Sequence, residues 1–514
     1  VTKQSFLKGA LILIIAGLIT RFLGFINRIV MARLIGEEGI GLYNMALPTL
    51  FLLYTISQVG LPIAISKRVA EATVLGDQKK IKQILVLSLL LTTSISIVVT
   101  IGIFFFAPFI AKNLLTDERV YYPLIAIIPI IPISAIAAVI RGYFQGKQNM
   151  KPQSYAQVLE QTVRILSVAF FVNLFLPLGI EFAAAGAMFS VILGEFISLL
   201  FMVFMFKTKK TIKLRSKLKS YLFSGKETFM QLMKISIPST FSRLIGSISN
   251  FLEPIIVSQS LLLAGIPVQL ATKQYGSLTG YAFPLLFLPT FFTHALAIAL
   301  VPNISEADAR KNTSVIHYRI HQAIRLSFAS GAIATVSLML FGETILHYMY
   351  GNTNATIFLK IMAPGFLFMY IQFPLYATLQ ALDLAKEAMW NSIIATIIKF
   401  IILFILTANP AFGITGVAIS LVIGVVVGTA LHLISLWRTI KFTISWGMLF
   451  KMILLFILTY WAGSLFKIYL TNYSESLAVF LFLLVLLAII YCIFLFGLGF
   501  ISKKELSLLR EKKH

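Results

Sequence analysis

Apolar runs long enough to cross a membrane follow one another along the whole chain, separated by short polar gaps. A window of roughly 19 residues on a transfer scale marks them. About fourteen spans result, at 8–31, 41–66, 83–109, 120–144, 154–176, 182–206, 231–257, 275–302, 318–346, 356–382, 388–409, 413–437, 446–467 and 477–500. At about 1.5 Å per residue, some twenty residues cross the ~30 Å hydrocarbon core, so the pattern predicts an all-α integral membrane protein of about 14 transmembrane helices. Lys3 and Lys8 give the first run the basic flank of a secretory signal. No small-x-small cleavage site follows, however, and the run continues through Arg21 to Met31, so it reads as a spanning helix.

The spans repeat. Thr20-Arg21-Phe22-Leu23-Gly24 returns as Ser242-Arg243-Leu244-Ile245-Gly246, and Ala46-Leu47-Pro48-Thr49-Leu50-Phe51-Leu52 returns as Ala282-Phe283-Pro284-Leu285-Leu286-Phe287-Leu288. Gln145, Lys151 and Arg164 have counterparts in Gln380, Lys386 and Lys399, with an insertion after the seventh span around 261–274. The expected organisation is a six-helix bundle at 1–206, a basic cytoplasmic linker at 207–229, a second six-helix bundle at 230–437, two further helices at 438–502 and a basic tail at 503–514. Six spans per copy is an even number, so the copies share one orientation and a pseudo-two-fold axis along the membrane normal, the plan of an alternating-access transporter.

Composition narrows the function. The chain is 59% hydrophobic and 12% charged. Soluble domains carry about 25% charged residues, which argues against a soluble enzyme. A formal net charge of +24 would suggest nucleic acid as the partner of a soluble protein. Here the basic residues crowd into alternate gaps: Lys3, Lys8, Lys67, Arg68, Lys79, Lys80, Lys82, Arg141, Lys147, Lys151, the linker from Lys207 to Lys226, Arg310, Lys311, Arg319, Lys386, Arg438, Lys441 and the tail from Lys503 to Lys513. The opposite gaps hold only Arg33, Lys112, Arg119, Lys273 and Lys467. This asymmetry predicts a multi-pass plasma-membrane protein with both termini cytoplasmic and leaves no nucleic-acid partner to invoke.

Catalytic signatures are missing. The single cysteine, Cys492, falls in the last apolar run and allows neither an intrachain disulfide nor a thiolate cluster. His317 and His321 have the nearest metal-like spacing but read as a basic helix end beside Arg319 and Arg325. The stretch Gly36-Glu37-Glu38-Gly39-Ile40-Gly41 carries two carboxylates that would repel phosphate, so it predicts a tight turn between spans 1 and 2. No enzyme activity, metal or cofactor is expected.

The informative residues are charges at membrane depth. Arg21 lies about 18–20 Å into its span, and Arg243 is about as deep in span 7. A central charge costs roughly 2.5–3.5 kcal/mol on insertion scales, so such residues face a bundle interior or a wet cavity. Gly17, Arg21, Gly24 and Arg28 share one helical face, with Asn27 beside it, and Ser239, Arg243, Gly246, Asn250 and Glu253 do the same in span 7. Either these stripes line a central cavity, or Gly17 and Gly24 mediate helix packing while the arginines pair with Glu253. Arg164 and Lys399 form a second symmetric pair, and Glu160, one turn earlier, is an alternative partner for Arg164. Glu253, before Pro254, is the candidate for proton or sodium coupling. An excess of arginine over carboxylate points to an anionic substrate, since guanidinium matches diphosphate bidentately. Outward movement of such an anion follows the membrane potential, at about 2.3 kcal/mol per charge per 100 mV.

Several longer stretches extend this picture: Phe6-Leu7-Lys8-Gly9, Arg21-Phe22-Leu23-Gly24-Phe25-Ile26-Asn27-Arg28, Ala32 to Tyr43, Gly60-Leu61-Pro62-Ile63-Ala64-Ile65-Ser66-Lys67 and Arg141 to Met150. Together they resemble the polysaccharide transporter branch of the multidrug, oligosaccharidyl-lipid and polysaccharide exporter superfamily, and within it the members that serve sporulation. The resemblance covers essentially the whole chain. It implies a flippase for an undecaprenyl-diphosphate-linked peptidoglycan precursor, lipid II, feeding spore cortex synthesis from the membrane around the forespore, with cell-wall synthases as further partners. It also implies that spans 13 and 14 border a groove for the polyprenyl tail, and that the R-x-x-G-F element, here Arg21, Gly24 and Phe25, supplies a cavity arginine. The chain departs from the family pattern at Asn27, where the family has its next arginine (Arg28 stands beside it), and near Leu52, where the family's span 2 arginine falls. A cation-coupled drug exporter and a non-transporting assembly factor for cell-wall synthesis are the alternatives.

Overall fold

A computed structural model describes residues 6–208, 225–473 and 476–500. Lys3, most of the linker and the tail from Lys503 to Lys513 lie outside the described residues. The described chain is helical throughout, and by packing it divides into two compact units, Val1–Gly280 and Tyr281–His514.

The first unit holds α1 (Phe6–Gln58), α2 (Leu61–Val74), α3 (Gln78–Phe109), α4 (Tyr121–Ile127), α5 (Ile130–Gly146), α6 (Lys151–Phe175), α7 (Ile180–Thr208), α8 (Lys226–Leu263) and α9 (Val268–Gly276). Helix α1 contains two of the expected spans. The chain turns between them at Gly36, with φ 65° and ψ −172°, a left-handed backbone that glycine adopts without a Cβ penalty. The Gly-Glu-Glu-Gly stretch is therefore a turn, as expected. Glu38 accepts from Arg119 Nη1 at 2.5 Å, and Arg119 also holds Asp117 at 2.9 Å. The buried Glu37 lies 3.9 Å from Lys273 Nζ. Two glycines let α9 close on this turn: a Cβ on Gly276 would meet the Glu37 carbonyl oxygen, and one on Gly41 would meet that of Thr272.

Small residues set the other close approaches in this unit, as expected where lipid removes the hydrophobic drive between helices. Cβ atoms on Gly142, Gly146 and Gly186 would lie 2.9, 2.6 and 2.8 Å from the carbonyls of Pro62, Ser66 and Phe171. The core between α2, α3 and α5 is built from Leu61, Ile65, Val69, Ile81, Leu85, Val139 and Phe144.

The second unit holds α10 (Phe283–Leu286), α11 (Thr290–Ala309), α12 (Thr313–Tyr350), α13 (Thr356–Ala381), α14 (Ala385–Thr407), α15 (Ile414–Ile440), α16 (Trp446–Tyr473) and α17 (Leu477–Gly497). Ile320, Ile324, Phe328, Leu375, Leu436, Leu455 and Tyr491 belong to its main core. The short α10 and α11 are separated by a break at Phe287–Pro289, which frees carbonyl groups at membrane depth. The buried Tyr370 hydroxyl donates to one of them, Leu286 O, at 2.7 Å. Tyr370→Phe is expected to leave that acceptor unsatisfied and to cost about 1–3 kcal/mol, read as a lowered unfolding midpoint in detergent with the helical content unchanged.

Among the described residues, eleven helical stretches are long and apolar enough to cross a membrane. A twelfth is the pair Val268–Leu286 and Thr290–Ala309, bent by 54°, so the expected eighth span is a broken one. The first stretch, Ile15–Val74, contains two spans because of the Gly36 turn. Helix α8, with 38 residues, is long enough to cross although its charges depress its hydropathy. About 14 spanning helices result, the number expected from the sequence.

Candidate functional site

Two helices of the first unit, α1 and α8, carry most of the expected site residues, and each sets an exposed apolar face roughly opposite a face of glycine and arginine. On α1, Ile15, Leu18, Ile19 and Phe22 form an exposed apolar face. Roughly opposite, at helical spacing, stand Gly17, Arg21, Gly24 and Arg28. Arg21 is half-buried and Arg28 exposed. On α8, no residue between Phe241 and Leu252 is fully buried. Leu244, Ser247 and Phe251 form its half-buried stripe, where Ser247 Oγ meets Thr55 Oγ1 of α1 at 2.7 Å. Phe241, Ile245, Ile248 and Leu252 make an exposed apolar face, and the opposite side presents Arg243, Gly246 and Asn250, all exposed.

The glycines bear on the packing half of the second reading of these stripes. A Cβ built on Gly17, Gly24 or Gly246 would have nothing within 4 Å of it among the described residues. These glycines therefore do not mediate helix packing; they border open space. Because an arginine facing hydrocarbon is costly, the apolar faces suit lipid and the arginine faces suit a wet cavity. In contrast with Gly276, where a Cβ would strike backbone, Gly17→Ala and Gly24→Ala are expected to leave the unfolding midpoint unchanged or slightly raised. Gly276→Ala is expected to lower it by several degrees, and side-by-side thermal denaturation of the purified variants checks the contrast.

The remaining site residues are placed differently. Asn27 is buried and turned from the open face, its Nδ2 3.8 Å from Met31 Sδ. Arg164 donates from Nη2 to Glu160 at 2.5 Å, the intrahelical ion pair that its spacing allowed. It remains part of the same electrostatic neighbourhood, since the buried Tyr43 lies within electrostatic range of both Arg28 and Arg164. Glu253 is half-buried and within electrostatic range of Tyr275. Lys399 belongs to the second unit, on α14. Its Nζ lies 4.6 Å from the Phe400 ring centroid, a cation–π contact, and its stem fills the space that Gly424 leaves, where a Cβ would come within 2.9 Å.

One group was not legible beforehand. Arg141, counted above among the gap residues, instead sits inside α5 and donates from Nη1 to Glu195 of α7 at 3.2 Å. The Glu195 side chain is 8% exposed. Gly194 brings α6 against α7 beside it, since a Cβ there would approach the Glu160 carbonyl at 2.9 Å. Arg141, Glu160, Arg164 and Glu195 thus form a charge-balanced quartet, with the half-buried Tyr54 in electrostatic range of all four. Arg141 and Glu195 lie 54 residues apart, so no local spacing links them. Their signal in the sequence was only that each is a charge within an apolar context.

The comparisons with known proteins bear on the fold and the family. The model of the polysaccharide biosynthesis protein family matches residues 6–308, more than half of the chain. The chain belongs to this family. A second model, MatE, matches residues 277–405. Among the family's relatives, stage V sporulation protein B of Bacillus subtilis is 53% identical over 443 residues, covering 86% of each chain. The lipid II flippase MurJ of the same organism is 24% identical over 421 residues, covering 78% of this chain and 77% of its own. The solved structure of lipid II flippase MurJ in an inward closed conformation superposes with a TM-score of 0.70 at 16% identity, covering 93% of this chain and 97% of that one. This family member thus has the fold of the MurJ and MATE transporters and is a multi-pass membrane protein.

Proposed function

We propose that the protein is a flippase that carries an undecaprenyl-diphosphate-linked peptidoglycan precursor, lipid II, outward by alternating access, in the membrane around the forespore and for spore cortex synthesis. The observation that carries the reading is the open space beside Gly17, Gly24 and Gly246 on the two arginine-bearing faces. Arg21, Arg28 and Arg243 border it with Asn250. An excess of guanidinium at a wet, roomy face suits a diphosphate with a large attached headgroup and opposes a cationic drug. The carboxylates Glu160 and Glu195, which a cation site would need, are each held by an arginine. The sporulation and flippase relatives support the substrate class, and the membrane potential supplies drive for an outward-moving anion, with Glu253 the group to test for ion coupling.

The deciding experiment is transport of purified lipid II by the full-length protein in proteoliposomes under an imposed potential. Potential-dependent translocation supports the flippase. No translocation by protein shown to be folded, with transport of another polyprenyl-diphosphate saccharide, changes the substrate. Inactivity toward every polyprenyl-diphosphate substrate leaves the assembly-factor role.

A further inference from the structure

A pocket of about 380 Å³ opens in the second unit, lined by none of the candidate site residues above. It is lined by α12, by the start of α16 with the segment before it, and by the chain just after α17. That volume lies in the range of small-ligand sites, about 300–1,000 Å³. Its polar lining carries two cations, Arg325 on the half-buried floor and Lys451 on the exposed rim, with the His321 imidazole one turn before Arg325 and Gln322, Tyr318 and Ser445 between them. Among the described residues that line it, none is a carboxylate. Arg319 adds a further cation close by, donating to Gln322 Oε1 at 3.0 Å.

The floor is preorganised. The His317 Nε2 atom is 2.9 Å from the Ile440 carbonyl oxygen, and the rings of His317 and His321 lie 5.6 and 4.8 Å from that of the buried Phe442. These contacts clamp α12 to the segment that precedes α16. The Nδ1 atom of His321 is buried and has no hydrogen-bond partner among the described residues, an unmet polar group beside Arg325. The first turn of α16 also borders the pocket, and a helix N-terminus favours negative charge.

Depth identifies the source of the anion. Trp446, between the pocket residues Ser445 and Gly447, is 87% exposed, and Trp437 and Phe450 are exposed nearby. Exposed tryptophans with adjacent lysines mark the membrane–water interface, where lipid phosphates lie. Apolar walls from Met448 and Phe500 offer a path for the start of an acyl chain. Basic pockets between transmembrane helices at headgroup level suit anionic lipids. We propose that this pocket binds the phosphate headgroup of an anionic phospholipid, held by Arg325, Lys451 and His321, as a site separate from the arginine faces of α1 and α8.

The test uses the full-length protein in a neutral detergent, with added phosphatidylglycerol, phosphatidylcholine or inorganic phosphate. Bound molecules are counted by native mass spectrometry, and stabilisation is read from thermal midpoints. Phosphatidylglycerol is expected to bind one per chain at this site and to raise the midpoint, with phosphatidylcholine much weaker and inorganic phosphate without effect. Lys451→Gln, at an exposed position that cannot disturb folding, and Arg325→Gln with Lys451→Gln are expected to weaken phosphatidylglycerol binding by about tenfold and a hundredfold, one and two charge-assisted contacts. Lys386→Gln, an exposed basic position outside the pocket, is expected to change nothing. Equal retention of phosphatidylglycerol by the folded double variant and the intact protein overturns the site. Saturable binding of inorganic phosphate, lost in Lys451→Gln, with no preference for the anionic lipid, overturns the lipid source.

Discussion

Replacing Arg21 and Arg243 together with alanine is expected to abolish transport of lipid II in proteoliposomes while leaving a folded, monodisperse protein. Each arginine shares a helix face with glycines that border open space, so on the proposed function its loss is expected to remove a ligand contact. A charge-assisted hydrogen bond contributes about 1.5–3 kcal/mol, so each single alanine variant should lose roughly 10- to 150-fold in transport at limiting substrate. The lysine variants sharpen the test. Lysine keeps the charge but not the planar fork, so Arg21→Lys and Arg243→Lys should recover part of the rate if a diphosphate is gripped bidentately. Full activity of both alanine variants would remove the anionic cavity from the mechanism, whatever the fold.

The second large effect concerns stability. Arg141 and Glu195 form a bridge whose side chains are 22% and 8% exposed, and the quartet they join is charge-balanced. Arg141→Met strands the Glu195 carboxylate, and Glu195→Gln leaves the guanidinium facing a neutral amide. Breaking one side of a buried pair costs about 3–5 kcal/mol, with the lower end expected here because Arg141 is partly exposed. The double variant restores neutrality and should be more stable than either single one. A double-mutant cycle on unfolding in detergent measures this, and additive losses would show that the bridge contributes nothing beyond its separate parts. The same cycle separates structure from transport: if Arg141 serves only the fold, the double variant should move lipid II at close to the original rate.

The sequence determined the all-helical membrane class, the count of about 14 spans, the turn at Gly36 and the arginine stripes of α1 and α8. All of these follow from periodicities within a single helix, where hydropathy sets burial in lipid and a 3.6-residue repeat sets which residues share a face. Even the ion pair of Arg164 with Glu160 is a property of one helical turn. The tertiary structure decided what lies opposite each face. Gly17, Gly24 and Gly246 border open space whereas Gly41 and Gly276 carry backbone against backbone, although all five are glycines within helices. Arg141 looks like a gap residue until α7 brings Glu195 to it, and Tyr370 looks like any core aromatic until the break after Leu286 frees a carbonyl for its hydroxyl. These differences depend on the distance to a second helix far away in sequence, and no periodicity within one helix encodes that distance.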